Sequence, residues 1–319
     1  MTGPVKSPPR RPRPPAGGLR KSILRGIVAL PALVTLLNGI AGFASLHYAT
    51  KAGLGNASMG HLSAAAWLIF VAMVFDALDG RLARMARRAT DFGAQLDSLC
   101  DAISFGVAPA VLMVQTVSMA LKNQIQPFDI FKPEGSMLGK AVMAIAVLYV
   151  CCTVLRLARF NIENAPDVLH HMTFRGLPCP AAAAAVAAVV LLFESLTTIQ
   201  QGWKSALWLK VTAGSTLPVV TLAVALLMIS RFVYPHVLNQ LFIGKRSFGY
   251  LVRIVGMVIV ALIYLQLALT LAALAYAASG PATTLVRRIR PGGRPVEPGE
   301  DDRAESEPDE PEDDGAAWS

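Results

Sequence analysis

The feature that most constrains this chain is the length of its apolar runs. A bilayer core takes roughly 20 consecutive apolar residues of helix to cross. The 319-residue chain supplies that length at 27–48, 60–80, 98–120, 138–158, 179–199 and 211–232. A further run, 251–278, would be about 40 Å long as one helix, which is generous for one crossing and short for two. Backbone N–H and C=O groups find no water in lipid, so such runs must satisfy themselves as helices. The expected fold is all-α: a polytopic transmembrane helical bundle with a six-helix core plus one or two C-terminal membrane helices. Charged residues make up 16% of the chain, against about 25% in soluble domains.

Residues 1–26 are basic and Pro-rich and are expected to form a disordered juxtamembrane segment. Residues 27–235 form the expected membrane domain, 236–280 a C-terminal helix or hairpin, and 281–319 a basic, then acidic, disordered tail. With the N-terminus inside, the inner segments hold eighteen Lys and Arg and the outer loops hold six. That bias sets the N-terminus and the inner helix ends in the cytoplasm. Arg287, Arg288, Arg290 and Arg294 would also favour the inside, which leans the 249–279 stretch toward a hairpin and the chain toward eight spans. Cys100, Cys151, Cys152 and Cys179 lie in apolar surroundings without metal-type pairing and are expected to be small buried hydrophobes.

Acid is scarce in the membrane portion except at one place. Ten Asp and Glu precede Val296, and five of them fall between Asp76 and Asp101. The segment reads DALDGRLARMARRATDFGAQLDSLCD. On a helix, Asp76, Asp79, Gly80 and Ala83 share an arc of about 100°, with Arg84 at its edge. On the next helix Gly93, Asp97 and Asp101 recur every fourth residue and form one stripe. Arg87–Thr90 would be the turn between them. Two aspartates from each helix therefore face one another.

Carboxylates in a bilayer are expensive unless paired or solvated, and four together repel. Divalent cations remove both problems, and all-oxygen ligation suits Mg²⁺ or Mn²⁺ rather than zinc. Gly80 and Ala83 leave room for a nucleotide to approach the backbone, and Arg84 can reach a diphosphate oxygen. A single aspartate here would be an ordinary partner for Arg81, Arg84, Arg87 or Arg88. Eight fixed positions within 26 residues demand more.

The pattern Asp76-x2-Asp79-Gly80-x2-Ala83-Arg84-x8-Gly93-x3-Asp97-x3-Asp101 resembles the signature of the CDP-alcohol phosphatidyltransferase family, with every position filled. The resemblance implies two divalent ions held by Asp76, Asp79, Asp97 and Asp101. Asp101 would also accept the alcohol proton, and Gly80, Ala83 and Arg84 would contact the CDP portion. Gly93, Thr35 and Asn38 join that CDP-binding set. The first span of the family usually reads P-N-x-x-T; here it is Pro31-Ala32-Leu33-Val34-Thr35, so position 32 offers no amide.

Ser104-Phe105-Gly106-Val107-Ala108-Pro109-Ala110, Leu155–Asn161 and Phe174–Pro178 together resemble the phosphatidylserine synthase branch. That implies CDP-diacylglycerol and L-serine as substrates, lipid as surroundings, a bacterial cytoplasmic membrane and a homodimer; no nucleic-acid partner is expected. A carboxylate-bearing acceptor suits arginine, and Arg156, Arg159, Asn161 and Arg175 are the candidates to hold it. The alternatives are the same transfer to glycerol 3-phosphate, an inositol phosphate or choline, a divalent-cation transporter, and a non-catalytic scaffold. Against transport, the aspartates gather near one interface with no second acidic site across the membrane.

Overall fold

A computed structural model describes residues 18–53, 59–85, 91–121, 137–163, 176–199, 206–230, 232, 234 and 263–289. The chain divides into two compact units, Met1–Pro281 and Ala282–Ser319. All regular elements among the described residues are helical. They are α1 (Gly18–Gly53), α2 (Met59–Met85), α3 (Asp91–Asp101), a π-helical segment (Ala102–Val107), α4 (Ala108–Leu121), α5 (Met137–Glu163), α6 (Cys179–Ile199), α7 (Ala206–Ile229) and α8 (Leu265–Ile289). The all-α expectation holds.

Among the described residues, six helical stretches are long and apolar enough to cross a membrane: Pro31–Ala52, Gly60–Leu82, Phe92–Leu121, Met137–Ile162, Cys179–Thr197 and Leu265–Thr284. In α7 the corresponding described part, Gly214–Ile229, is shorter. The Arg87–Thr90 turn, the first arm of the 249–279 hairpin, the basic N-terminal residues 1–17 and the acidic tail lie outside the described residues. Residues 265–279 of that stretch belong to α8, which runs past the expected boundary at 280 to Ile289.

Helix α1 packs against α2, α3, the π segment and α4. In lipid, close backbone approach is what small residues provide. A Cβ at Gly39 would lie 2.9 Å from Cys100 Sγ, and one at Gly42 would lie 2.6 Å from Ser104 Cα. The approach is then fixed by polar contacts. Ser104 Oγ donates to the Asn38 carbonyl at 2.9 Å, and Ser45 Oγ donates to the Ala65 carbonyl at 2.8 Å. The outward side of α1 carries exposed Leu33, Leu36, Leu37, Ile40 and Phe43, the surface expected against acyl chains.

Directly after Asp101 the third span widens into the π-helical segment. Pro109 has no N–H, so it cannot bond the carbonyl of Phe105 four residues back. The ladder shifts to i→i−5, with Ala108 N–H reaching the Ile103 carbonyl. From α5 the buried Tyr149 hydroxyl donates to the Phe105 carbonyl at 3.0 Å. The bulge therefore anchors α5 to the span that carries the acidic stripe.

At the start of α6, Gly176 has φ 92°, in the left-handed region that glycine enters freely. Its N–H donates to the Phe232 carbonyl at 2.8 Å and Leu177 N–H to the Leu227 carbonyl at 3.1 Å, binding this turn to the end of α7. Replacing Tyr149 by Phe should leave the Phe105 carbonyl without that donor. We expect a loss of about 1 kcal/mol, read as a lower thermal midpoint in detergent; an unchanged midpoint would show that the bulge does not depend on the hydroxyl.

Candidate functional site

Asp76 and Asp79 sit on α2, Asp97 and Asp101 on α3. One carboxylate oxygen from each of Asp76, Asp97 and Asp101 lies within 4.8 Å of the other two. The facing of the two acidic arcs anticipated from helical periodicity is thus present for these three. Asp79 falls outside that tight group but is buried 6% exposed, with its carboxylate beside the Thr35 hydroxyl and the Gly80 backbone. Its Oδ2 and Asp97 Oδ1 are buried without a hydrogen-bond partner among the described residues.

Buried anionic oxygens left without donors are what a divalent cation would satisfy. An oxygen-only donor set is the chemistry of Mg²⁺ or Mn²⁺ sites. The residues present therefore fit a hard divalent ion.

Two α1 side chains expected to touch a nucleotide lie against the carboxylates. Asn38 is fully buried and its Nδ2 donates to Asp101 Oδ1 at 2.8 Å, while its own Oδ1 has no partner among the described residues. Thr35 is buried, and its hydroxyl donates to the Pro31 carbonyl at 3.0 Å. The sequence signal for this was available, since Thr35, Asn38 and Gly42 lie three and four apart on one α1 face.

Gly80 is exposed, and a Cβ there would meet nothing within 4 Å. Among the described residues no packing demands glycine at 80. Gly93 is half-buried near the start of α3. Ala83 and Arg84 lie on the last turn of α2, and their side chains are outside those described.

Arg156 and Asn161, two of the residues expected to hold the acceptor, lie on α5. Asn161 Nδ2 donates to Ser98 Oγ at 2.9 Å, next to Asp97. Arg156 Nη1 donates to Cys179 Sγ at 3.2 Å, and its Nε is buried without a partner among the described residues. Arg159 is exposed one turn further on, and Arg175 lies outside the described residues. Cys100, Cys152 and Cys179 are buried as expected, but Cys151 is exposed because it falls on the outward face of α5. Sequence reasoning missed the polar partnership of Cys179 and the role of Ser98.

Fold and site together define a polytopic helical membrane protein with an acidic, cation-ready cleft between two of its spans. The family model for CDP-alcohol phosphatidyltransferase matches residues 28–214, and the chain belongs to that family. It is 35% identical over 162 residues to a CDP-diacylglycerol–serine O-phosphatidyltransferase of Helicobacter pylori, covering 49% of this chain and 60% of that relative's length. A protein of the same name from Methanocaldococcus jannaschii is 29% identical over 233 residues, 73% of this chain and 87% of the relative. An archaetidylserine synthase of Methanothermobacter thermautotrophicus is 31% identical over 217 residues, 67% and 72% respectively. Members of this family generally depend on a divalent metal.

A ligand that binds only the folded state raises the unfolding midpoint. Mn²⁺ should therefore raise the thermal midpoint of the purified protein in a concentration-dependent way. Asp97→Asn should remove most of that rise, and a full rise in this variant would place the ion elsewhere.

Proposed function

We propose that this chain transfers the phosphatidyl group of CDP-diacylglycerol to the hydroxyl of L-serine, giving phosphatidylserine and CMP. The observation that carries the reading is the convergence of Asp76, Asp97 and Asp101 oxygens within 4.8 Å of one another. Serine as acceptor is supported by the names of the relatives, which share serine across two kinds of lipid.

Asp76, Asp79, Asp97 and Asp101 would hold two divalent ions, Mg²⁺ or Mn²⁺. Such ions supply charge neutralisation for the diphosphate and the leaving CMP. The serine oxygen attacks the lipid-side phosphorus, the bond from that phosphorus to the CMP oxygen breaks, and the hydroxyl proton passes to Asp101. Asn38 fixes the Asp101 carboxylate through Oδ1, which leaves Oδ2 to take the proton. Gly80 gives the CDP backbone-level access, with Ala83, Arg84, Gly93 and Thr35 completing its surroundings and the free Asn38 Oδ1 offering an acceptor.

Arg156 is the preferred clamp for the serine carboxylate. It is half-buried with an N–H at Nε that has no partner among the described residues, whereas Arg159 is exposed. Asn161 and Arg175 would assist. The enriched basic inner segments support an N-terminus and active site in the cytoplasm, at a bacterial cytoplasmic membrane. A homodimer follows from the family resemblance.

The test is CMP release from CDP-diacylglycerol, screened over acceptors with and without Mn²⁺. Serine should be the acceptor that drives release, and only with metal. Preferred turnover with glycerol 3-phosphate, an inositol phosphate or choline would replace serine. Asp101→Asn should reduce turnover by about 10²-fold or more while CDP-lipid binding persists; near-normal turnover would remove Asp101 as the base.

A further inference from the structure

Tyr149 is fully buried on α5 and takes no part in the proposed transfer, yet its hydroxyl is spent on one particular carbonyl. It donates to Phe105 at 3.0 Å. That carbonyl is the one Pro109 leaves without its usual i→i−4 donor. The residues around it, Ala102–Val107, are the π segment. A π turn holds one residue more than an α turn, so it rotates the acidic stripe of α3 relative to α4 by roughly 100°. Such bulges are rare in helices and recur at functional sites.

The segment starts at the residue after Asp101, and its buried side chains lead back to that carboxylate. Ser104 Oγ donates to the Asn38 carbonyl at 2.9 Å, and Asn38 Nδ2 donates to Asp101 Oδ1 at 2.8 Å. Ser104 and Asn38 are both fully buried. A Cβ at Gly42 would lie 2.6 Å from Ser104 Cα, so α1 rests directly on the segment. From the other side a Cβ at Gly106 would lie 3.3 Å from Thr153 Cγ2. Thr153 stands one turn beyond Tyr149, and its hydroxyl donates to the Tyr149 carbonyl at 2.9 Å. The segment is thus held by α1 at Ser104 and by α5 at Phe105 and Gly106.

These contacts control register. Without the Tyr149 hydroxyl, the Phe105 carbonyl would be buried and short of a donor, and the segment would shift to find one. Ser104 and Asn38 would move with it, and so would the carboxylate that Asn38 orients. A misplacement of about 1 Å at a reacting group can cost about 10²-fold in rate.

We propose that Tyr149 is a positioning residue which, through the π segment and Asn38, sets the Asp101 carboxylate for proton transfer. The inference rests on the reading of Asp101 as the base. It gives the π bulge a task in turnover besides its task in packing.

The experiment measures kcat, KM for serine, KM for CDP-diacylglycerol and the thermal midpoint with the full-length protein in detergent. The variants are Tyr149→Phe, Ser104→Ala, these two combined, and Tyr149→Phe with Pro109→Ala, beside Asp101→Asn. Tyr149→Phe and Ser104→Ala should each lower kcat about tenfold and leave both KM values unchanged. The combination should cost no more than the larger single loss, because both act on one carboxylate. Pro109→Ala returns to the helix an N–H that can bond the Phe105 carbonyl. Tyr149→Phe with Pro109→Ala should therefore regain the wild-type midpoint while kcat stays low, because the bulge that phases Asp101 has closed.

Recovery of kcat together with the midpoint in that double variant would make the hydroxyl a partner for stability alone and overturn the proposal. A Tyr149→Phe enzyme with wild-type kcat, when Asp101→Asn is inactive, would overturn the positioning and leave the base standing. A loss carried by higher KM values would overturn it as well. If the Pro109 variant does not fold, the Tyr149→Phe and Ser104→Ala pair decides, and fully additive losses would rule out the shared path. A near-normal Asp101→Asn enzyme would overturn the base itself, and the positioning with it.

Discussion

Negative charge confined between apolar helices has to be neutralised, and the rest of this structure is organised around that requirement. Asp76, Asp97 and Asp101 converge from α2 and α3, with Asp79 buried beside them. Without a counter-charge this grouping would drive the helices apart. The acidic face is made tenable by what surrounds it. Helix α1 approaches closely enough at Gly39 and Gly42 for Asn38 to reach Asp101, and the oxygens left without donors suit a hard cation.

The same helix couples the acidic site to the rest of the bundle. Asn38 uses its side chain on Asp101 and its carbonyl on Ser104, the first fully buried residue of the π segment. Tyr149 then joins that segment to α5, the helix that also carries Arg156 and Asn161. A short path of hydrogen bonds thus runs from Asp101 to α5. Rigid supporting contacts of this kind are what holds a reacting group in place.

The aspartate pattern was legible in the sequence because helical periodicity is local, and each pair lies three or four residues apart on its own helix. Three of the four carboxylates meet as that spacing requires. Thr35 and Asn38 were legible as polar residues in an apolar span. That their side chains turn toward the carboxylates depends on which helix packs on α1, a tertiary fact that spacing along one helix does not carry. The π segment had a signal in Pro109, but its consequence depends on Tyr149, 44 residues from Phe105. The contact of Cys179 with Arg156 left no trace in the sequence, because the two residues come from separate helices. The apolar character of Cys179 also concealed its use as a hydrogen-bond acceptor.

The most direct measurement is a map of the protein grown or frozen with Mn²⁺ and a CDP-lipid, with the metal located by its anomalous scattering. The account predicts manganese between α2 and α3, liganded by Asp76, Asp97 and Asp101 oxygens and touching the diphosphate. Manganese absent from that cleft, with the diphosphate bound elsewhere, would contradict it.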